Sequence, residues 1–177
     1  FLESYIMNFS EKHGVDFRIA RVFNTYGPHM RKDDGRVIPN FIEQFLNGES
    51  VTIYGNGTQT RSFCYVDDEI DGLFKLLISD YAYPINIGNP NEITILQFAE
   101  EIIKLTGTNQ KIIYKPLPTD DPLQRQPDIT KAKEILNWEP KISRSKGMKR
   151  TFEYFKNLTS EELLKSEHKD FSNHIRK

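Results

Sequence analysis

The residues of this sequence best suited to bind an anion are three arginines, Arg36, Arg61 and Arg125. A guanidinium group stays charged and presents paired donors in a fixed geometry that matches phosphate or carboxylate oxygens. The chain carries 24 Lys and Arg against 25 Asp and Glu, a formal net charge of −1, so an anionic ligand must be held by a few placed cations. Taken alone, each arginine is explained at least as well by a solvated loop or a surface ion pair.

Other reactive side chains give little reason to predict a metal or redox centre. The single cysteine, Cys64, lies in the apolar run Phe63–Val66, which predicts a buried and inert thiol and excludes an intrachain disulfide framework. Four histidines show no metal-ligand spacing, and we assign no metal: His13, His29, His168 and His174.

Composition narrows the class of protein. With 37% hydrophobic and 12% aromatic residues among 177, the chain can bury a sizeable core. The balanced charge gives no basic excess for nucleic acid or an anionic membrane surface. No apolar stretch approaches the roughly 18 residues of a membrane span, and no signal-peptide pattern opens the chain. We therefore expect a soluble protein in the reducing cytoplasm, with neither nucleic acid nor membrane as a partner.

The elements that must position the arginines alternate between helix and strand. Apolar residues at helical spacing begin at once with Leu2, Tyr5, Ile6 and Phe9, although the chain opens on Phe1 without Met or a capping residue. We expect a chain cut inside a helix that covers 1–12. Short apolar runs then predict strands at 17–23, 51–54, 62–66, 85–88 and 112–114.

Helices are predicted between and after these strands. One helix is predicted from the shared face of Ile38, Phe41, Ile42, Phe45 and Leu46. Asp67 is expected to cap another, which turns its apolar stripe inward. Thr94 and Gln97 form a capping box for the next helix, and two more helices are expected near 130–137 and 145–157. The stripe of the Asp67 helix consists of Ile70, Leu73, Phe74 and Leu77. This alternation predicts an α/β domain over 1–157, followed by a polar tail at 158–177 with a short helix at 161–165.

Four strings go beyond a generic α/β pattern, and their order and spacing resemble the second half of an extended short-chain dehydrogenase/reductase of the NAD-dependent epimerase/dehydratase family. They are Arg21-Val22-Phe23-Asn24-Thr25-Tyr26-Gly27-Pro28, Val51-Thr52-Ile53-Tyr54-Gly55, Gln59-Thr60-Arg61-Ser62-Phe63 and Arg125-Gln126-Pro127-Asp128. Within the family, the segments 34–38 and 121–128 resemble the branch that decarboxylates UDP-glucuronate. The resemblance covers nearly the whole chain, from Phe1 to about Phe155.

The resemblance implies the fold and also what this chain does not carry. It implies the carboxy-terminal part of a Rossmann-type enzyme, with the late strands of the sheet and a small substrate-binding domain. The glycine-rich loop that binds the dinucleotide pyrophosphate does not occur in the sequence. The catalytic Tyr-x-x-x-Lys pair of the family would fall just before Phe1. We therefore expect NAD to be bound mainly by upstream sequence and the isolated chain to be inactive.

The resemblance also gives roles to particular residues. In the decarboxylases an arginine follows glycine where Arg36 stands, next to the substrate carboxylate. Arg61 and Arg125 would bind the pyrophosphate of the UDP moiety. The remaining assignments are Asn24 to a phosphate or sugar oxygen, Val37 to a backbone contact with the substrate, Thr52, Ile53 and Tyr54 to the uracil, Asp128 to the ribose, and Thr25 and Arg31 to the nicotinamide side of NAD.

Simpler interpretations of the same residues remain open. Asn24 is equally typical of a turn before Gly27-Pro28, and Asp128 could instead cap the helix that follows it. The strand 51–54 could be plain core. In relatives the opening helix pairs with its twofold mate, so its apolar stripe could form a homodimer interface as well as core.

Three functions compete at this stage. The first is the substrate-binding half of an enzyme that converts UDP-glucuronate to UDP-xylose and CO2 through a 4-keto intermediate with recycled NAD. The second is a 4,6-dehydratase or 4-epimerase of UDP- or dTDP-sugars, which would not need a cation at Arg36. The third is a non-catalytic UDP-sugar-binding or dimerisation fragment. Because strand 17–23 would present an open sheet edge, we also expect the isolated chain to be poorly stable.

Overall fold

The computed structural model describes residues 1–31, 35–118 and 122–158. Its helices are α1 (Leu2–His13), α2 (Val37–Leu46), α3 (Val66–Leu77), α4 (Ile95–Thr106), α5 (Thr130–Leu136) and α6 (Arg144–Lys156). Its strands are β1 (Ala20–Val22), β2 (Thr25–Tyr26), β3 (Val51–Tyr54), β4 (Thr60–Ser62), β5 (Cys64–Tyr65), β6 (Ile85–Ile87), β7 (Glu92–Thr94) and β8 (Ile112–Lys115). The predicted tail helix lies outside the described residues.

The chain divides into two compact units. The first comprises Phe1–Thr25, Gln59–Thr94 and Pro122–Arg144, and the second comprises Tyr26–Thr58, Ile95–Asp121 and Ser145–Lys177. Each unit is therefore assembled from three separate stretches of sequence. No helix in the described part of the chain is both long and apolar enough to cross a membrane.

The first unit is built on the parallel pair β1 and β6, in which Arg21 is opposite Asn86. Strand β4 pairs with β7 in the antiparallel sense, and β2 pairs with β5. Helices α3 and α5 cover β6, and the core between them is closed by Trp138, whose indole N–H donates to the Asp68 carbonyl at 3.1 Å. The core residues are Leu76, Ile85, Ile87, Ile129, Ala132, Leu136 and Trp138.

Helix α3 corrects a prediction made from the sequence. Its apolar stripe, Ile70, Leu73, Phe74 and Leu77, is exposed, and its buried residues are Asp68, Glu69, Gly72 and Leu76. The reason is close packing, because a Cβ on Gly72 would lie 2.7 Å from Cγ2 of Ile87. The helix can approach the sheet this closely only on the face where glycine has no side chain. The helix also begins after Tyr65, so Asp67 lies in its first turn and is not its cap.

Strand β1 is shorter and more exposed than predicted. It covers Ala20–Val22 instead of 17–23, and Arg21 and Val22 are exposed, so the prediction of a buried strand is wrong for these two residues. Ile19, directly before the strand, is buried. Among the described strands β1 pairs with β6 alone, which leaves its other edge without a described strand.

Helix α1 forms as predicted but contributes nothing to the buried core. It ends at Gly14, whose φ of 65° permits the left-handed turn that closes the helix, and none of its residues is buried. Glu3 on its first turn makes a two-pronged ion pair with Arg21, with both N–O distances at 2.6 Å. Leu2, Tyr5 and Phe9 are all exposed.

The second unit is built on the parallel pair β3 and β8, with α2 and α4 packed on β3. Phe41 of α2 stacks on Phe98 of α4 with ring centroids 5.9 Å apart, and both side chains are fully buried. Gln44 connects helix to strand: its side-chain oxygen accepts the Thr52 N–H at 3.0 Å, and its amide donates to the Thr52 hydroxyl at 3.2 Å. This bond fixes the first predicted uracil-binding residue against α2.

Candidate functional site

The carboxyl ends of β1 and β6 form one part of the candidate site. Asn24 and Thr25 follow β1, and Gly88 follows β6 at the same edge. A Cβ on Gly88 would lie 2.8 Å from Cβ of Phe23 and 3.2 Å from Cγ of Pro127, so the three segments meet here. In parallel α/β sheets ligands bind beyond this edge.

Each residue at this edge has a defined partner. The Asn24 carbonyl accepts the Cys64 N–H at 2.9 Å, which ties β5 to the end of β1. The Thr25 hydroxyl donates to the Phe23 carbonyl at 2.8 Å. The side chain of Asn24 is half-buried. Asn24 and Thr25 therefore lie together at the carboxyl end of β1, and their roles toward a sugar and the nicotinamide remain predictions.

Asp128 stabilises the start of a helix. Its Oδ1 accepts the Thr130 N–H at 2.9 Å and the Thr130 hydroxyl at 2.6 Å, at the first residue of α5. Both bonds lower the pKa of the Asp128 carboxyl. Its carbonyl accepts the side-chain amide of Asn86 at 2.9 Å, so Asp128 also holds its segment against β6. Ile129 occupies the cap position of α5, so Asp128 bonds the first turn from one residue before the cap, and its ribose contact remains a prediction.

Arg61 and Arg125 lie on two segments that are bonded to each other. Arg61 is the middle residue of β4, half-buried, and its Nη1 donates to the Thr60 carbonyl at 2.8 Å. Arg125 is exposed on the irregular segment before α5. The Thr60 N–H donates to the Leu123 carbonyl at 2.9 Å, which joins β4 to that segment.

Glu92 provides the second connection, and sequence reasoning missed it. One carboxylate oxygen accepts the Thr60 hydroxyl at 2.7 Å, and the other accepts the side-chain amide of Gln124 at 3.0 Å. The segment is anchored again by Gln126, which donates to the Pro90 carbonyl at 2.8 Å. No local pattern marked Glu92, because β7 has only three residues and was not predicted.

In the second unit, Arg36 occupies the cap position of α2 with an extended backbone, φ −75° and ψ 160°. Its carbonyl accepts the Asn40 N–H at 3.1 Å, and the Asn40 side chain donates to the Gly35 carbonyl at 3.2 Å. The side chain of Arg36 is exposed at the positive end of the helix dipole, where a carboxylate is favoured. Arg31 is exposed and Val37 half-buried, and Asp34 of the predicted motif lies outside the described residues.

The strand predicted to contact uracil has two different faces. Val51 and Gly55 donate their N–H groups to Lys111 and Lys115 of the β8 side. Main-chain direction alternates along a strand, so the N–H and C=O groups of Thr52 and Tyr54 point to the opposite edge. The Ile53 side chain is completely buried and Tyr54 is exposed. A base could be read only at that opposite edge, where Gln44 already accepts the Thr52 N–H.

A buried carboxylate next to the first part of the site was also missed. Glu69 is 3% exposed, and it lies beside the Thr25 hydroxyl and the Cys64 thiol. Neither of its oxygens accepts a well-formed hydrogen bond from a nitrogen or oxygen donor of the described residues. Burial raises the pKa of Glu69 to about 7. The signal for it was the spacing of Glu69, Gly72 and Leu76 on one helical face.

The predicted site residues thus fall in both units. The first unit contains Asn24, Thr25, Arg61, Arg125 and Asp128, and the second contains Arg31, Arg36, Val37, Thr52, Ile53 and Tyr54. No cluster of three or more His, Cys, Asp or Glu suited to a metal occurs in the described ranges.

The sequence is similar to a known protein family and to curated proteins. Residues 1–88 match the sequence model of the NAD dependent epimerase/dehydratase family. The chain is 51% identical over 146 residues to UDP-glucuronic acid decarboxylase 5 of Arabidopsis thaliana, which covers 82% of this chain and 43% of that protein. It is 46% identical over 153 residues to UDP-glucuronic acid decarboxylase 1 of Danio rerio, covering 86% of this chain and 37% of that one. The chain thus spans less than half of the length of these curated relatives.

Solved structures give the same picture of the fold. The chain resembles UDP-glucose 4-epimerase of Thermotoga maritima, solved with UDP-glucose, with a TM-score of 0.83 and 34% identity, over 86% of this chain and 50% of that one. It also resembles UDP-glucuronic acid 4-epimerase of Bacillus cereus, solved with UDP-glucuronic acid and NAD, with a TM-score of 0.81 and 31% identity, over 89% and 50%. These likenesses confirm the predicted α/β architecture.

Proposed function

Because this chain belongs to the NAD dependent epimerase/dehydratase family, we propose that it forms the substrate-binding half of a UDP-glucuronate decarboxylase. The observation that carries the proposal is the 51% identity, over 82% of the chain, to a protein of that name. The proposed reaction converts UDP-glucuronate to UDP-xylose and CO2. Residues 1–157 are proposed to supply the substrate-binding part.

The proposed chemistry depends on a ketone at C4 of the sugar. The chemistry that NAD supplies when bound is the removal of a hydride from C4 and its later return. With the ketone in place, the bond between C5 and the carboxylate breaks and CO2 leaves. The electron pair of that bond stays on the sugar and forms an enolate with the C4 ketone. A proton then adds to C5. Arg36 is proposed to orient the departing carboxylate and to stabilise the charge that develops on the enolate.

The remaining residues are proposed to bind the nucleotide. Arg61 and Arg125 provide fixed donors for the pyrophosphate, and the edge of β3 at Thr52 and Tyr54 reads the uracil, with Ile53 as its core support. Asn24 and Val37 contact the sugar, and Asp128 contacts the ribose in addition to its bond to α5. The main-chain bond between the segments of Arg61 and Arg125 and the position of Asn24 at the carboxyl end of β1 support these assignments.

The share of this chain in NAD binding is proposed to be small. The Thr25 hydroxyl uses its hydrogen on the Phe23 carbonyl, so its oxygen can still accept one bond, such as the N–H of a nicotinamide carboxamide. Arg31 is the second group assigned to that side. A dinucleotide pyrophosphate requires a glycine-rich turn at a helix start, which the sequence does not contain. The residues therefore fit the nicotinamide end only.

Two further assignments complete the proposal. The exposed stripe of α1 supports a homodimer formed by this helix and its symmetry mate. The free and buried Cys64 supports a cytoplasmic location.

The test uses the protein as its gene encodes it, incubated with UDP-glucuronate and NAD, with products separated and weighed by mass spectrometry. We expect loss of CO2 to give a UDP-pentose. Arg36→Ala should lower kcat at least about a hundredfold, since it removes the charge that stabilises the enolate. The matched control is Arg150→Ala, another exposed arginine of the second unit, which should leave the rate unchanged.

A second candidate function is favoured by the solved neighbours, two of which are UDP-sugar 4-epimerases. The same experiment separates the two. A product of unchanged mass but altered retention time would indicate 4-epimerisation, and loss of water would indicate a dehydratase. Either result, with Arg36→Ala still active, would contradict the decarboxylase proposal.

A further inference from the structure

Glu92 joins the two segments that carry the pyrophosphate arginines. It is opposite Ser62 in the β4–β7 pair, with its side chain half-buried. Its two carboxylate oxygens are divided between the segments: one accepts the Thr60 hydroxyl and the other accepts the Gln124 amide. Both partners are 32 residues away in sequence, one on each side, so these contacts are tertiary and not a local turn.

The bonded residues directly precede the two arginines. Thr60 is followed by Arg61, and Gln124 is followed by Arg125. The main-chain bond from Thr60 N–H to the Leu123 carbonyl, at 2.9 Å, runs beside the Glu92 contacts. The backbones that carry both guanidinium groups are therefore fixed by one three-point connection with Glu92 at its centre. Donors held in place before a ligand arrives lose less entropy when they bind it.

We propose that Glu92 is a positioning residue that holds Arg61 and Arg125 in the mutual geometry required by a diphosphate. The inference rests on the proposed function, because it assumes that these two arginines bind the diphosphate of a nucleotide sugar. Glu92 itself does not contact the ligand. Its negative charge is directed to two donors of the protein, which keeps it from opposing the anion.

The chemistry of the side chain supplies a conservative replacement. In Glu92→Gln the amide oxygen still accepts the Gln124 N–H, and the new amide group donates to the Thr60 hydroxyl, which can accept as well as donate. In Glu92→Ala both contacts are lost. The pair of variants therefore separates loss of the connection from loss of the charge. Glu134→Ala, an exposed glutamate of α5 in the same unit, is the matched control.

The experiment measures binding of UDP and of UMP by calorimetry, with the protein as its gene encodes it. Glu92→Ala should weaken UDP binding about tenfold but UMP binding less than about threefold, because two positioned arginines matter only for a diphosphate. Glu92→Gln and Glu134→Ala should both stay within about threefold of the wild type for either ligand. Equal losses for UDP and UMP would indicate a purely structural role and overturn the proposal.

A second measurement does not depend on nucleotide. Amide hydrogen exchange should be faster at Thr60 in Glu92→Ala than in the wild type, because the bond to Leu123 is no longer supported. Unchanged exchange would overturn the positioning role. If Arg61→Ala and Arg125→Ala abolish UDP binding but Glu92→Ala does not alter it, the inference fails while the proposed function stands. If the wild type does not bind UDP, both fail.

Discussion

Gly72 packs directly against the indole ring of Trp138: a Cβ added at Gly72 would lie 2.9 Å from Cε2 of that ring and 2.7 Å from Cγ2 of Ile87. Both neighbours belong to the core of the first unit, and Trp138 is fixed by its bond to the Asp68 carbonyl. This contact explains why α3 packs its less apolar face, with Asp68, Glu69 and Gly72, against the sheet. It also fixes the orientation of the helix on which Glu69 lies.

We therefore expect Gly72→Ala to destabilise the protein although alanine favours helices. Overpacking should cost more than the helix gains, with a net loss of about 1–2 kcal/mol in the free energy of unfolding. Denaturation in urea, followed by circular dichroism, measures it. The neighbouring exposed residue gives the control, Asp71→Ala, which should change stability by less than about 0.5 kcal/mol. Equal stability of Gly72→Ala and the wild type would contradict the packing argument.

Glu69 should make stability depend on pH. Its pKa is raised from 4.5 to about 7, chiefly by burial, so the folded state holds a proton that the unfolded state releases. The stabilisation is complete below the unfolded pKa of 4.5 and is lost as pH rises through the folded pKa of about 7. Glutamine has no proton to release, so Glu69→Gln keeps its stability as the pH rises. Its free energy of unfolding should therefore increase, relative to that of the wild type, by on the order of 2 kcal/mol from acid to mildly alkaline pH.

The test measures the free energy of unfolding at a series of pH values from about 4 to about 8, a range that spans the raised pKa of Glu69. The difference between Glu69→Gln and the wild type should grow with pH and then level off. Ile70→Val, at an exposed position of the same helix, is the control because it neither adds nor removes a titratable group, and it should follow the wild type at every pH. Parallel pH curves for Glu69→Gln and the wild type would show that Glu69 is not protonated in the folded state.

Sequence reasoning located most elements but not their buried sides. The strand Val51–Tyr54 was predicted with its observed bounds, since alternating apolar residues between two turn signals leave little choice. Helix α3 was found, but its apolar stripe was assigned to the core. Periodicity identifies an apolar face, yet the face that packs is decided by which one approaches the sheet closely, and Gly72 allows that approach.

In the candidate site, the sequence likewise identified residue types but not the tertiary contacts that connect them. Residues with a distinctive type, such as Arg61 and Arg125, could be selected from the sequence, because guanidinium chemistry is a property of the residue. Their connection through Glu92 could not, because it depends on pairing between β4 and a three-residue strand 32 residues away. Such short strands carry too few residues for a period to be read.

Cys64 should be unreactive in the folded protein. The thiol is completely buried, and its pKa is raised by burial and then by the neighbouring Glu69 carboxylate. Little thiolate should therefore be present at neutral pH. A colorimetric disulfide reagent should label no cysteine under native conditions and one per chain in denaturant. Fast labelling of the native protein would contradict the buried position, and Cys64→Ser provides the blank.

The loop after β2 is tied to α6 by His29 and Tyr154. The Tyr154 hydroxyl lies 2.8 Å from Nδ1 of His29, and the rings are 4.5 Å apart. Tyr154→Phe keeps the ring contact and should cost about 0.5–1.5 kcal/mol of stability. In a His29→Ala background the same change should cost almost nothing, as a double-mutant cycle in urea would measure. Additive effects would show that the hydrogen bond contributes nothing.

The apolar stripe of α1 should mediate self-association. Leu2, Tyr5 and Phe9 are 70%, 57% and 43% exposed, and no residue of the helix is buried, so folding of one chain leaves this face in water. Apolar surface of this kind is removed from water by a symmetric partner. Phe9→Asp should therefore shift the protein from dimer to monomer in sedimentation velocity runs over a range of concentrations. The adjacent exposed residue gives a control with the same added charge, Asn8→Asp, which should remain dimeric. A wild type that stays monomeric at every concentration, or a Phe9→Asp variant that stays dimeric, would assign the stripe to another contact.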